Sequence, residues 1–174
     1  MFHFSDSHVS LETESWRQER VSLGLEPEDP MHEGHETERA LRNFEQQVAL
    51  AVERKADLII NTGDLLNLPS EETIAWVKNI IERAGIPFRF ISGNHDWCFE
   101  GLGGDRRSMQ SEAGRQAVRA EWREKRLRPL LGPCDGSHWH EDVGGVRLIA
   151  IDNSTCKLPP PATPTVPWSS FYQF

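Results

Sequence analysis

The sequence predicts an α/β fold, a mainly parallel sheet flanked by helices, on three observations. Short apolar runs at residues 2–5, 58–60 and 88–92 have the length of buried strands. The segments between them carry apolar residues at helical spacing. Each run stops at a polar cluster that contains Asp or His. Strand, helix, strand, helix, strand is the order that right-handed crossovers require, and such sheets gather their ligands at the carboxyl ends of the strands.

The elements follow in order. Residues 2–5 form a short first strand. Residues 9–36 are polar and acidic, with Gly24, Pro27, Pro30 and Gly34, and read as a long loop holding one short helix. Leu41, Phe44, Val48 and Val52 recur at helical spacing and predict an amphipathic helix over 38–55. Leu58-Ile59-Ile60 is a second strand, ended by Thr62-Gly63-Asp64. A helix over 71–84 follows. Ser70 stands at its cap, Glu71 and Glu72 suit its first turn, Ile74, Val77 and Ile81 form its stripe, and Gly85 and Pro87 end it. The strand 88–92 comes next. Residues 100–110 are glycine-rich and charged and read as a loop, and 111–126 read as a helix with Ala113, Ala117, Val118 and Trp122 on one side. Gly144-Gly145 turns the chain into a strand from Val146 to Ile151.

The bulk properties exclude several classes. A net charge of -8 argues against a general nucleic-acid or anionic-lipid binder, though bound cations can reverse the local sign for a small phosphorylated substrate. Cys98, Cys134 and Cys156 form no CxxC pair and are odd in number, which disfavours a disulfide framework or a cysteine zinc site. No signal peptide or membrane span is visible, so a cytoplasmic location is expected. Oligomeric state is left open.

If the three strands are parallel neighbours, Asp6-Ser7-His8, Gly63-Asp64 and Gly93-Asn94-His95-Asp96 converge on one edge. Carboxylates, imidazoles and a carboxamide suit divalent ions of intermediate hardness: Mn, Fe, Zn or Mg. A cation between Asp6 and Asp64 would remove their repulsion, and a carboxylate can bridge two ions. Gly63 and Gly93 would let the backbone turn sharply and an anion come close.

These blocks, with Gly63-Asp64-Leu65-Leu66-Asn67 in the middle, resemble the DxH, GDxxN and GNHD blocks of the calcineurin-like metallophosphoesterases, over about residues 2–156. The resemblance implies the N-terminal portion of an αββα sandwich and hydrolysis of a phosphomonoester or phosphodiester by metal-activated water. It implies two divalent cations in an intact member. Asp6 and His8 would bind the first, Asp64 would bridge, and Asn94 would bind the second. His95 would lie by the leaving-group oxygen, with Asp96 orienting it; Asn67 would support its loop. The substrate would be a phosphorylated small molecule, a nucleotide or a protein.

The family pattern continues with a further His on a later strand and a Gly-His-x-His block. Here Ile151-Asp152-Asn153-Ser154 is followed by Pro159-Pro160-Pro161, Pro164 and Pro167. The expectation is therefore a truncated or frame-shifted domain at 1–156 with a Pro-rich irregular tail at 157–174. Such a chain would hold one cation more readily than two, and its second sheet would be mostly missing, which exposes apolar sheet surface. A single-metal inactive fragment and a non-catalytic phosphate-binding module are the rival expectations.

Other residues take bland readings. His32-Glu33-Gly34-His35-Glu36 lacks zincin spacing and reads as a solvated acidic loop. His138 and His140 read as exposed strand or turn histidines, Arg106 and Arg107 as a charged surface loop, and Trp97 as packing. Asp152 and Asn153 read as strand capping on the active edge.

Overall fold

The structure is a computed structural model. It describes residues 1–11, 13–22, 27, 34–67, 70–93, 95–97, 127–131 and 138–151. Three short strands, β1 (Phe2–Phe4), β2 (Ile59–Asn61) and β3 (Phe88–Phe90), form a parallel sheet with β2 in the centre. Helix α1 (Glu14–Ser22) and helix α2 (Gly34–Glu53) lie between β1 and β2 in the chain, and helix α3 (Glu71–Ala84) lies between β2 and β3. A turn of 3-10 helix (His95–Trp97), a short helix α4 (Arg128–Leu131) and the strands β4 (His138–Val143) and β5 (Val146–Ile151) complete the order.

Side chains alternate across β2, so its apolar run serves two faces. Ile59 joins Phe4 and Phe90 against the helices, where Phe44, Val48 and Ala51 of α2 meet Ile74, Val77 and Ile80 of α3, with Leu127 and Leu130. The Phe4 and Phe44 rings meet edge-on at 5.8 Å. Leu58 and Ile60 face the other way, onto Trp139 with Val143, Leu148 and Ala150. The described residues thus form a helical layer, a parallel sheet and a second, two-stranded sheet.

The strand 146–151 falls where expected, but it pairs antiparallel with β4 in that second sheet and does not extend the parallel one. The Gly144-Gly145 turn, with both residues at positive φ, makes a hairpin of it. Two polar contacts seat the hairpin. Trp139 Nε1–H donates to the Phe90 carbonyl at 3.3 Å. Arg89 of β3 makes a two-pronged pair with Glu141, at 2.6 and 2.9 Å. Among the described residues, apolar surface is exposed on the outer side of the hairpin, where Ile149 and Ile151 are 70% and 67% exposed beside exposed His140.

Helix α3 has the expected bounds. Ser70 Oγ accepts the Thr73 N–H, and Gly85 ends the helix in the left-handed conformation. Helix α2 begins at Gly34, four residues earlier than its stripe predicts, so Gly34, His35 and Glu36 are helical and not loop. It ends through Lys55, at φ 52°, with Ala56 N bonding Ala51 O and Lys55 N bonding Val52 O. Its buried stripe runs through Ala51; Val52 is 46% exposed. The loop expected at 100–110, the helix at 111–126 and the tail lie outside the described residues, as do Asp152 and Asn153. Since β5 belongs to the second sheet, its end is not on the edge of the parallel one. No helix among the described residues is long and apolar enough to cross a membrane.

Candidate metal centre

The chain leaving β1 and the chain leaving β2 continue side by side beyond the sheet. Asp6 N donates to Gly63 O at 3.0 Å, His8 N to Asp64 O at 2.9 Å, Val9 N to Leu65 O at 2.8 Å and Asn67 N to Val9 O at 3.1 Å. Val9 and Leu66 form a parallel bridge. This zipper fixes where the side chains emerge.

Asp6, His8 and Asp64 emerge together. Each offers one ligand atom, and those atoms lie within 4.8 Å of one another. Donors held about 2.0–2.2 Å from one cation are separated by at most ~4.4 Å, so the spread is close to what one ion needs. Two carboxylates and an imidazole suit the oxygen- and nitrogen-seeking divalent ions. Asp6 is exposed and the other two half-buried, which leaves an approach from solvent. All three have left-handed backbones, with φ of 54°, 47° and 49°. That conformation costs a non-glycine residue about 1–2 kcal/mol, and such strain concentrates at functional sites.

The third block closes on the second. His95 N–H donates to Asp64 Oδ1 at 2.9 Å. The imidazole stacks edge-on against His8, centroids 4.6 Å apart, and its Nδ1 pairs with Asn67 Oδ1 at 3.3 Å. With the proton on Nδ1, Asn67 accepts it, and Nε2 is the nitrogen left to meet a substrate oxygen. Asn67, expected only to support its loop, thus both supports the loop and holds His95. The signal for it was a polar residue after the apolar pair Leu65-Leu66, at a position that proves buried.

Asp96 differs from expectation. It does not orient His95; Oδ1 accepts the Leu66 N–H and Oδ2 accepts the Gly93 N–H, both at 2.8 Å. Facing inward, it meets backbone donors and not the neighbouring ring. Burial pushes its pKa up to about 8, and the nearby Asp64 charge adds to the rise, against the pull of its backbone hydrogen bonds. Gly93 also has another reason than anion approach or a sharp turn. A Cβ there would lie 2.6 Å from the Asp64 nitrogen and would strike its carboxylate. Gly63, at φ 118°, does require glycine for its turn, and a Cβ on it would lie 2.9 Å from Gly93 Cα.

Asn94 lies outside the described residues, as do Arg106, Arg107, His32 and Glu33. His140 sits on the outer side of the hairpin, on the opposite face of its strand from the inward Trp139.

The sequence profile of the calcineurin-like phosphoesterases matches residues 1–170. A protein of Psychrobacter arcticus described as a probable cyclic nucleotide phosphodiesterase is 42% identical over 48 residues. That segment covers 28% of this chain and 17% of the relative. No solved structure matches the chain significantly.

Proposed function

Because the chain belongs to the calcineurin-like phosphoesterase family, we propose that it serves metal-dependent hydrolysis of a phosphoester. The observation that carries this reading is the convergence of Asp6, His8 and Asp64 on one cation-sized point beyond the parallel sheet. In this reading Asp6, His8 and Asp64 would hold a Mn, Fe, Zn or Mg ion, and Asp64 and Asn94 would serve a second. A bound cation would lower the pKa of water and neutralise phosphate charge.

The remaining chemistry falls to the protein. Asn67 fixes the His95 ring by accepting its Nδ1 proton. In the imidazolium form, which carries a proton on each nitrogen, His95 presents its Nε2 proton to the leaving oxygen. The main-chain bond from His95 to Asp64 keeps that acid at a set distance from the ligands. The name of the Psychrobacter protein makes a cyclic nucleotide diester the first substrate to try.

The experiment counts bound metal per chain, then assays p-nitrophenyl phosphate, its bis-ester and 3′,5′-cyclic nucleotides with and without Mn. Turnover that requires Mn and is lost in Asp64→Ala supports the proposal. Bound metal without turnover favours a single-metal binding chain, and no bound metal overturns the reading.

A further inference from the structure

Asp96 is fully buried, yet its two carboxyl oxygens serve two loops and not the adjacent imidazole. Leu66, which donates to Oδ1, is two residues past Asp64. Gly93, which donates to Oδ2, is the residue against which the Asp64 side chain packs. A third bond, from His95 N–H to Asp64 Oδ1, completes the connection. The Asp64 carboxylate is thus confined on one side by Gly93 and held by one N–H. Asp96 fixes both supports relative to the loop that carries Asp64. A buried carboxyl is costly to keep, and an apolar side chain could fill such a space if filling were its only task.

We propose that Asp96 is a positioning residue for the cation: by clamping the loops after β2 and β3, it sets the Asp64 carboxylate at its distance from Asp6 and His8. It acts on metal affinity through Asp64. This inference rests on the reading that Asp6, His8 and Asp64 hold a divalent ion.

The test is a calorimetric titration of the whole, chelator-stripped chain with Mn. Asp96→Asn keeps the size but places an NH₂ group against one of the two N–H donors. Its Mn affinity is expected to fall about 10- to 100-fold, the range for groups that orient metal ligands. Ile80→Val, a core change in α3, serves as the control for lost stability and should bind Mn as the parent does. Should Asp96→Asn fail to fold, hydrogen exchange in the parent chain gives the answer. Zinc must slow exchange of the Leu66 and Gly93 amides by the same factor as it slows opening of the whole fold, because the clamp and the site open together. An Asp96→Asn variant with undiminished affinity, or clamp amides indifferent to zinc, overturns this inference alone. A parent chain that binds neither ion overturns the underlying reading as well.

Discussion

Gly93 and Asp96 show how closely the site's backbone and side chains constrain each other. Gly93 has no side chain because the Asp64 carboxylate occupies that space. Gly93→Ala should therefore cost about 1–3 kcal/mol, the range for overpacking, read as a lower urea midpoint. Asp96 gives the metal-free chain a specific pH dependence. Its pKa is raised from the ordinary 3.8 to about 8, so between these values the folded chain retains a proton that the unfolded chain has released. Its contribution to stability is fully present below about pH 4 and is lost as pH rises through about 8. Urea unfolding at a series of pH values should show that decline, and the decline should be absent in Asp96→Asn. Asp6, His8 and Asp64 could be singled out as a candidate cluster because each stands where an apolar run ends. Their left-handed backbones could not be read, since Asp6, His8 and Asp64 adopt them through bonds to residues remote in sequence. The partner of Asp96 was misread for the same reason: adjacency in sequence suggested His95, whereas the fold supplies Leu66 and Gly93.

At the scale of elements, local chemistry decided what could be read. Helix α3 carries its own signals: Ser70 at one end, Gly85 at the other and a stripe between. Ser70 also bonds the Thr73 hydroxyl at 2.8 Å, and that hydroxyl accepts the Leu11 N–H, so the cap ties the segment after β1 to the helix. Ser70→Ala should cost about 0.5–2 kcal/mol, measurable by thermal or urea unfolding. Helix α2 ends at Glu53, and the left-handed turn after it falls on Lys55, a residue that advertises no stop, so the expected end at 55 and the expected last core position at Val52 were each misplaced. The hairpin strand β4 was only half visible, because polar His138, His140, Glu141 and Asp142 conceal the inward Trp139 and Val143.

At the scale of the molecule, the layers are joined unevenly. Helices bury one face of the parallel sheet through many apolar contacts. The hairpin holds the other through Trp139 and the pair between Arg89 and Glu141, whose side chains are 17% and 32% exposed. Arg89→Ala leaves Glu141 half-buried without that cation and should cost about 1–3 kcal/mol. Exchange of the Trp139 indole N–H, which bonds the Phe90 carbonyl, should quicken with it when followed by NMR. Across the strand pair, Asp142 and Arg147 face solvent; Arg147 holds the Asp142 carboxyl below its usual range. The parallel sheet was predictable from run length and order. The second layer depended on pairing between strands, which no single strand announces.

The loops after β1 and β2 lie side by side only because those strands run parallel with Phe2 opposite Ile59. An ion that needs Asp6, His8 and Asp64 at once must therefore arrive after this long crossover has closed. It cannot act as a nucleus for collapse, as zinc does in a finger peptide. Manganese should accordingly leave the refolding limb of a chevron untouched and depress only the unfolding limb, so that cation concentration governs how long the native chain lasts and not how quickly it forms.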